Sequence, residues 1–175
     1  MTSFSNSEVS TIGTGAFAYC TNLTTVSFPS CTSIGNYAFQ LCTRLTTASF
    51  PLCKSIGSSA FAYCYSLTTV SFPSCTSIGL SAFAYCSSLI TANFPSCTSI
   101  GANAFNRCYN LLSLYLTGSS IVNLSNPNAF TSSPIAGYTT STGGVYGSIF
   151  VPSSLYSTYI ASTNWVYFSS RFVSV

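Results

Sequence analysis

The sequence predicts an α/β repeat fold, in which short strands and short helical turns stack as a solenoid of 22-residue units with a C-terminal cap. Two observations lead to this prediction. Nine cysteines recur at a constant spacing of eleven residues, and an isoleucine–glycine pair recurs every 22 residues. One unit is too small to bury its own apolar face, so the units have to stack and share a continuous core.

Five copies of the unit occupy residues 11–116 without an insertion. The unit reads S-I-G-x-x-A-F-x-x-C-x-x-L-T-T-V-S-F-P-S-C-T, with small differences between copies. Its glycine offers a backbone position where a positive φ angle costs little free energy. The A-F-x-x-C-x-x-L stretch spaces its apolar residues by three, which favours one turn of α-helix or 3₁₀-helix. The unit glycines are Gly13, Gly35, Gly57, Gly79 and Gly101.

The L-x-x-V-x-F part of each unit has the alternation of a short, half-buried strand. In the first copy, we expect Leu23, Val26 and Phe28 to point inward. Thr25 and Ser27 are expected to point outward. The proline that follows lacks a backbone N–H group, so the strand is predicted to end before it.

The two ends of the chain differ from the five units. Residues 1–10 are interpreted as a partial N-terminal rung, with few large apolar side chains to cover the first unit. Residues 117–175 are interpreted as a degenerate repeat followed by a capping segment, because a stack of repeats needs an atypical last unit. In the degenerate repeat, Val122 is predicted to take the isoleucine position, and the Ala129–Phe130 pair is predicted to come three residues late.

The capping segment contains three further predicted features. A loop rich in Gly, Ser and Thr covers residues 133–147. The S-I-F-V-P stretch is predicted to be one more strand, and Ser153 and Ser154 are predicted to begin a short helix. Trp165 has two interpretations, as a core residue of the cap or as a sugar-stacking residue, and the core is the commoner place for a lone tryptophan.

The units TSIGNYAFQLCTRLTTASFP and KSIGSSAFAYCYSLTTVSFP closely resemble BspA-like leucine-rich repeats, whose unit reads roughly IGxxAFxxCxxLTxIxIPxxVxx. The resemblance covers about residues 7–116. It implies a right-handed leucine-rich-repeat solenoid and a role in adhesion at a bacterial, protist or phage surface. The sequence departs from the family pattern where cysteine replaces the apolar residue after the strand, at Cys31, Cys53, Cys75 and Cys97.

The composition argues against several classes of partner. The chain has four basic residues, one acidic residue and no histidine. Four scattered cations cannot neutralise a track of phosphates, so we expect no nucleic-acid partner. No apolar run is long enough for a transmembrane segment, and the start MTSFSNSEVST lacks the features of a signal peptide. Scarce charge also weakens the repulsion between copies, which favours a homo-oligomer.

The regular cysteines have several candidate roles. Zinc binding requires paired ligands a few residues apart, and the sequence has no C-x-x-C motif. Disulfides between neighbouring rungs meet the distance requirement, but nearly parallel Cβ vectors and an odd number of cysteines argue against them. Val9 stands eleven residues before the first cysteine, which indicates a small apolar position. We therefore expect reduced, buried, structural cysteines at Cys20, Cys31, Cys42, Cys53, Cys64, Cys75, Cys86, Cys97 and Cys108.

Catalysis is not expected, because a reactive thiolate needs a base or a cation beside it, and general acid–base chemistry has almost no groups to use. No cofactor is expected either. Two exposed surfaces are candidates for binding. The strand face comprises Thr25, Ser27, Thr47, Ser49, Thr69, Ser71, Thr91, Asn93, Ser113 and Tyr115. The tyrosine row on the turn side comprises Tyr19, Tyr63 and Tyr85, with Leu41 and Arg107 at the equivalent positions of the other units.

The leading functional hypothesis is a non-enzymatic structural and binding module that adheres to a protein or glycan. Its expected location is extracellular, on a cell surface or on a virion. The first alternative is a self-assembling structural protein of a virion or an extracellular filament. A remote alternative is ice binding through the hydroxyl groups of the strand face, because stacked strands would place Thr and Ser in a regular grid.

Overall fold

A computed structural model describes residues 2–137 and 146–175, and its repeat region consists of very short parallel strands. In chain order the strands are β1 (Ser3–Ser5), β2 (Thr11–Ile12), β3 (Thr25–Ser27), β4 (Ser33–Ile34), β5 (Thr47–Ser49), β6 (Ser55–Ile56), β7 (Thr69–Ser71), β8 (Ser77–Ile78), β9 (Thr91–Asn93), β10 (Ser99–Ile100), β11 (Ser113–Tyr115) and β12 (Asn123–Leu124). We call one three-residue strand, one two-residue strand and the turns between them a rung.

The strands of successive rungs pair in parallel and in register. Thr25 lies opposite Thr47, and Ile34 lies opposite Ile56, so the partners are 22 residues apart. The two-residue strands form one sheet in the order β12-β10-β8-β6-β4-β2. The three-residue strands divide into β1-β3-β5 and a second sheet that begins at β7. Within the described residues, no hydrogen-bonded bridge joins β5 to β7, although the two strands remain neighbours. We call this break in the pairing the gap.

The inward and outward residues of the strands are as the sequence predicts. Leu23, Val26 and Phe28 are at most 2% exposed, whereas Thr25 and Ser27 are half-buried. The strand ends before the proline, and the predicted alternation is confirmed.

Two columns of phenylalanine rings fill the core along the stack. Within a column the rings are nearly parallel, and consecutive ring centroids are 5.1–5.9 Å apart. Rings of different columns meet at steep angles, in the edge-to-face arrangement that aromatic quadrupoles favour. One column comprises Phe17, Phe39, Phe61, Phe83, Phe105 and Phe130, and the other comprises Phe28, Phe50, Phe72 and Phe94.

The segment from each unit glycine to the following cysteine is a chain of turns, and the prediction of a helical turn is wrong. Tyr37 and Leu41 have left-handed φ angles of 58° and 59°. Alternate N–H groups therefore point in different directions. The Cys42 N–H donates to the Phe39 carbonyl in the same rung, whereas the Phe39 N–H donates to the Ala60 carbonyl of the next rung at 2.7 Å. A helix would direct both groups along its own axis.

The unit glycines do not have positive φ angles. The prediction that glycine is needed there for its backbone conformation is therefore also wrong. Close contact between rungs explains them instead. A Cβ atom at Gly57 would lie 2.6 Å from the carbonyl carbon of Gly35 and 2.6 Å from the backbone nitrogen of Asn36. At Gly13, in the first rung, a Cβ atom would have nothing within 4 Å. A side chain is therefore excluded wherever a preceding rung is present.

The degenerate repeat is shifted relative to the five units. Leu124 lies opposite Ile100, so Leu124 takes the isoleucine position of the unit. The prediction that Val122 takes it is wrong by two residues. Val122 is still buried. The predicted delay of the Ala129–Phe130 pair is confirmed, because the Phe130 ring stacks on Phe105 with centroids 5.7 Å apart.

The cap combines short helices with two more strands. Its elements are 3₁₀-helices at Pro127–Phe130 and Pro134–Ala136, β13 (Ser148–Val151), a 3₁₀-helix at Ser153–Leu155, α1 (Tyr156–Ala161), a 3₁₀-helix at Val166–Arg171 and β14 (Phe172–Ser174). The predicted strand and short helix are confirmed, although no serine side chain caps α1. Most of the predicted loop, residues 138–145, lies outside the described residues. None of the described helices is long and apolar enough to cross a membrane.

Side chains of the cap pair with the backbone of the last repeat. The Tyr159 hydroxyl accepts a hydrogen bond from the Val122 N–H at 3.0 Å. The Trp165 Nε1–H donates to the Val122 carbonyl, and Asn164 Nδ2 donates to the Leu124 carbonyl, both at 2.7 Å. These bonds satisfy polar groups that the end of a sheet would otherwise bury unpaired. Trp165 is 1% exposed, so its interpretation as a core residue is confirmed.

Candidate functional site

The cysteines form two columns along the stack, and each column has its own hydrogen bond. On the strand side, Cys53 Sγ donates to the Ser55 carbonyl two residues later at 3.2 Å. On the turn side, Cys64 Sγ donates to the Phe39 carbonyl of the preceding rung at 3.2 Å. The same bonds recur in the neighbouring rungs. Each buried thiol thus fills a small apolar site and also donates to a carbonyl.

Cys20 is exposed, and the prediction that all nine cysteines are buried is wrong there. A turn-side cysteine is covered by the turns of the rung before it, as Cys42 is by its contact with Phe17. Residues 2–10 supply β1 but no such turns, so nothing within the described residues covers Cys20. The other eight cysteines are at most 3% exposed.

Burial makes the eight inner thiols poor acids. Loss of water raises the pKa of Cys42, Cys53, Cys86 and Cys97 to about 12. The same cause raises the pKa of Cys31, Cys64, Cys75 and Cys108. Because the thiolate is the nucleophile and the metal ligand, these groups are inert at neutral pH. All nine cysteines are free of disulfides in the structure.

The strand face carries two rows of outward side chains. One row consists of Thr25, Thr47, Thr69, Thr91 and Ser113, and the second consists of Ser27, Ser49, Ser71, Asn93 and Tyr115. All of them are exposed or half-buried. None of the five charged residues of the chain lies on a strand. The gap between β5 and β7 interrupts the backbone pairing beneath both rows, so the strands that carry the hydroxyl groups do not form one continuous sheet.

A groove of about 300 Å³ lies on the strand face beyond this gap. The Asn93 amide leans toward β7, where its Nδ2 is 3.4 Å from the Ser71 hydroxyl oxygen. The groove therefore combines an amide, several hydroxyl groups and one aromatic ring. Its lining residues are Thr69, Ser71, Thr91, Asn93, Tyr115 and Thr117.

Tyr115 is held from one side by a residue of the cap. Phe150 of β13 lies in register with Tyr115, and the two rings stack with centroids 4.4 Å apart and planes 10° apart. Sequence reasoning missed Phe150 and Thr117. A signal for Phe150 is present, because S-L-Y at residues 113–115 and S-I-F at residues 148–150 share one pattern.

The tyrosine row is only partly continuous. Tyr63 and Tyr85 stack with ring centroids 4.4 Å apart, and the Arg107 guanidinium lies 5.0 Å from the Tyr85 centroid. Loss of water, and then the neighbouring Tyr85, raise the pKa of Tyr63. Tyr19 is 68% exposed and separated from these rings by Leu41. The rings of Tyr63 and Tyr85 thus cover each other, which leaves less free aromatic surface.

The N-terminal end of the stack presents backbone acceptors. In inner rungs, the Ala38 carbonyl accepts from the Phe17 N–H and the Gln40 carbonyl from the Tyr19 N–H. Their equivalents in the first rung, the carbonyls of Ala16 and Ala18, receive no backbone donor among the described residues.

A family model for the BspA-type leucine-rich-repeat region matches residues 2–139 in six copies. The crystal structure of a T. pallidum leucine-rich-repeat protein is similar, with 33% identity and a TM-score of 0.62 over 65% of this chain and 58% of that chain. A leucine-rich cell-surface protein from Faecalibacterium prausnitzii A2-165 matches with 26% identity and a TM-score of 0.61. That match covers 89% of this chain and 42% of that chain.

The pneumococcal vaccine antigen PcpA shares the fold, with a TM-score of 0.71 at 13% identity over 99% of this chain and 40% of that chain. The chain thus spans less than two thirds of the length of each of these structures. No curated protein matches the sequence.

The raised thiol pKa values predict a steep loss of stability in alkali. Above the ordinary thiol pKa of 9.0, the unfolded chain ionises its cysteines while the folded chain keeps them protonated. The part of the folding stability that depends on the protonated thiols is therefore fully present below pH 9.0 and is lost as the pH rises toward about 12. Each buried thiol contributes about 1.4 kcal/mol per pH unit to this slope.

Denaturant unfolding followed by circular dichroism, from neutral pH to about pH 11, measures that slope. We expect the substitution Cys86→Ala to make this slope shallower by the contribution of one thiol. The control Ser87→Ala, at the next residue, removes no ionisable group and should leave the slope unchanged. An equal slope in all three proteins would contradict the assignment.

Proposed function

The chain belongs to the BspA-type leucine-rich-repeat family, and from that premise we propose that it is a non-enzymatic adhesion module. In this proposal, it is a right-handed solenoid of 22-residue units, displayed on a bacterial surface or a phage particle. It binds a protein or glycan through its strand face. The groove between Thr69 and Thr117 is the observation that carries the proposal.

The strand face is favoured over the tyrosine row for two reasons. First, it contains a concave site with convergent polar groups, which is the usual form of a binding site. Second, its side chains are uncharged and lie on paired strands. A ligand would therefore meet a rigid surface whose dehydration costs little free energy. A neighbouring structure from a cell-surface protein of F. prausnitzii supports the proposed location.

Retention of protein-coated beads on a mucin layer tests this proposal. The parent protein should be retained, and the double substitution Thr47→Arg and Thr69→Arg should reduce retention about tenfold, because two long cations then stand on the uncharged face. Both positions point away from the core, so the fold should persist.

The matched control is the double substitution Tyr63→Ser and Tyr85→Ser on the turn side. Loss of retention in the control alone would contradict the assignment to the strand face. Periodate oxidation of the mucin separates the two ligand classes, because it destroys glycans and leaves the protein chain.

Self-assembly is a second candidate function, favoured by the carbonyls of Ala16 and Ala18, which receive no backbone donor among the described residues. Exposed edges with unpaired backbone groups recruit further strands or turns. The low charge of the chain gives little repulsion against such contacts. Ice binding is a weaker proposal, because the gap between β5 and β7 interrupts the sheet beneath the hydroxyl groups, and the side chains of Asn93 and Tyr115 interrupt the hydroxyl pattern.

Sedimentation across a wide concentration range tests self-assembly. We expect larger species at high concentration and their loss in Ala16→Lys, which places a charge on the first rung. Leu80→Lys, at an exposed position of an inner rung, is the control. A monomer at every concentration would contradict this second proposal.

A further inference from the structure

We propose that the groove at Thr69–Thr117 is a subsite for a neutral saccharide, with the Tyr115 ring as its platform. This inference rests on the proposed function of the strand face and names the ligand class. Three features carry it, namely the face of the Tyr115 ring opposite Phe150, the polar groups around it and the absence of charged residues on the strands.

Among the described residues, Tyr115 stacks with one aromatic ring, and its side chain also lines the groove. β13 and β9 lie on opposite sides of β11, and the Phe150 ring of β13 stacks on one face of the tyrosine. The opposite face is directed toward β9, where Asn93 is the residue in register. Asn93 leans away toward Ser71, and the groove occupies this region. A sugar ring can place its C–H face against such a preordered aromatic face.

The polar groups of the groove match the hydroxyl groups of a sugar. Hydroxyls of Thr69, Thr91 and Thr117 both donate and accept hydrogen bonds, as sugar hydroxyls do. Beyond the N–H that is directed at Ser71, the Asn93 amide adds one donor and one acceptor beside the ring. A ligand pocket of this kind, mostly preformed with a few oriented polar groups around an apolar surface, is typical of small-molecule sites.

The absence of charge selects a neutral ligand. An acidic or phosphorylated ligand would need an Arg or Lys beside it, and no charged residue lies on a strand of this face. Protein interfaces are also enriched in Arg, which the face lacks. The strands on the N-terminal side of the gap carry only Thr and Ser outward, so they offer hydroxyls without a platform. The saccharide site is therefore confined to β7, β9 and β11.

An array of neutral, sialylated and sulfated oligosaccharides tests the inference. We expect the parent protein to bind neutral members, Tyr115→Ala to weaken that binding about tenfold, and Tyr115→Phe to retain it. Asn93→Ala should weaken binding as well. Ser27→Ala, on the same face beyond the gap, is the matched control and should leave binding unchanged. Circular dichroism confirms that each variant keeps the fold of the parent.

Each outcome separates this inference from the proposed function. Neutral-glycan binding that is unchanged in Tyr115→Ala would overturn the subsite. Preference for sialylated or sulfated members would overturn the ligand class. Bead retention that depends on Thr47 and Thr69 but survives periodate oxidation would overturn the saccharide and keep the adhesion module with a protein ligand. If the beads are not retained on the mucin and the array shows no binding, both proposals are wrong.

Discussion

Direct contact between the backbones of consecutive rungs is the constraint on which the rest of the structure depends. At Gly35, Gly57, Gly79 and Gly101, a Cβ atom would lie 2.6–2.8 Å from the backbone of the preceding rung. Strands in register on both sides of this point then hold the rungs at the spacing of a sheet. Every side chain that repeats along the sequence is consequently placed directly above its equivalent.

This stacking explains the unusual composition of the core. Phenylalanine rings one rung apart have to be parallel, and their centroid spacing of 5.1–5.9 Å is within the range of favourable ring pairs. The cysteine positions admit only a small side chain, and a thiol adds a donor to a nearby carbonyl. The regular spacing of the cysteines is therefore a property of the packing. The candidate groove lies on β7, β9 and β11, where Asn93 and Tyr115 depart from the repeated pattern of Thr and Ser.

The sequence predicts the three-residue strands of the units well, because their burial follows the alternation of apolar and polar residues. Leu23, Val26 and Phe28 required only that periodicity. The sequence does not predict the two-residue strands such as Ser33–Ile34, which are too short to show an alternation. The turns were mispredicted, because spacing by three is also compatible with alternate bonding within and between rungs. The exposure of Cys20 and the pairing of Leu124 with Ile100 depend on which residues lie beside them in the folded chain. A periodic pattern assumes that every unit has the same neighbours, and this assumption fails at the first and last units.

The sequence also predicts one part of the candidate site and misses another. Tyr115 and Asn93 are outward residues of predicted strands, so the sequence places them on the face. The groove needs further information. It depends on the pairing of β13 with β11 across a long connection, and on the direction in which the Asn93 amide leans. Neither the pairing of distant strands nor a side-chain rotamer follows from local periodicity.

The free energy of unfolding of two glycine variants tests the contact between rungs most directly. Gly57→Ala places a methyl group against the preceding rung, whereas Gly13→Ala adds the same group where nothing lies within 4 Å. We predict that Gly57→Ala lowers the stability by about 1–3 kcal/mol, the cost of overpacking, and that Gly13→Ala changes it by less than about 0.5 kcal/mol. Equal effects of the two substitutions, or a neutral Gly57→Ala, would contradict the account.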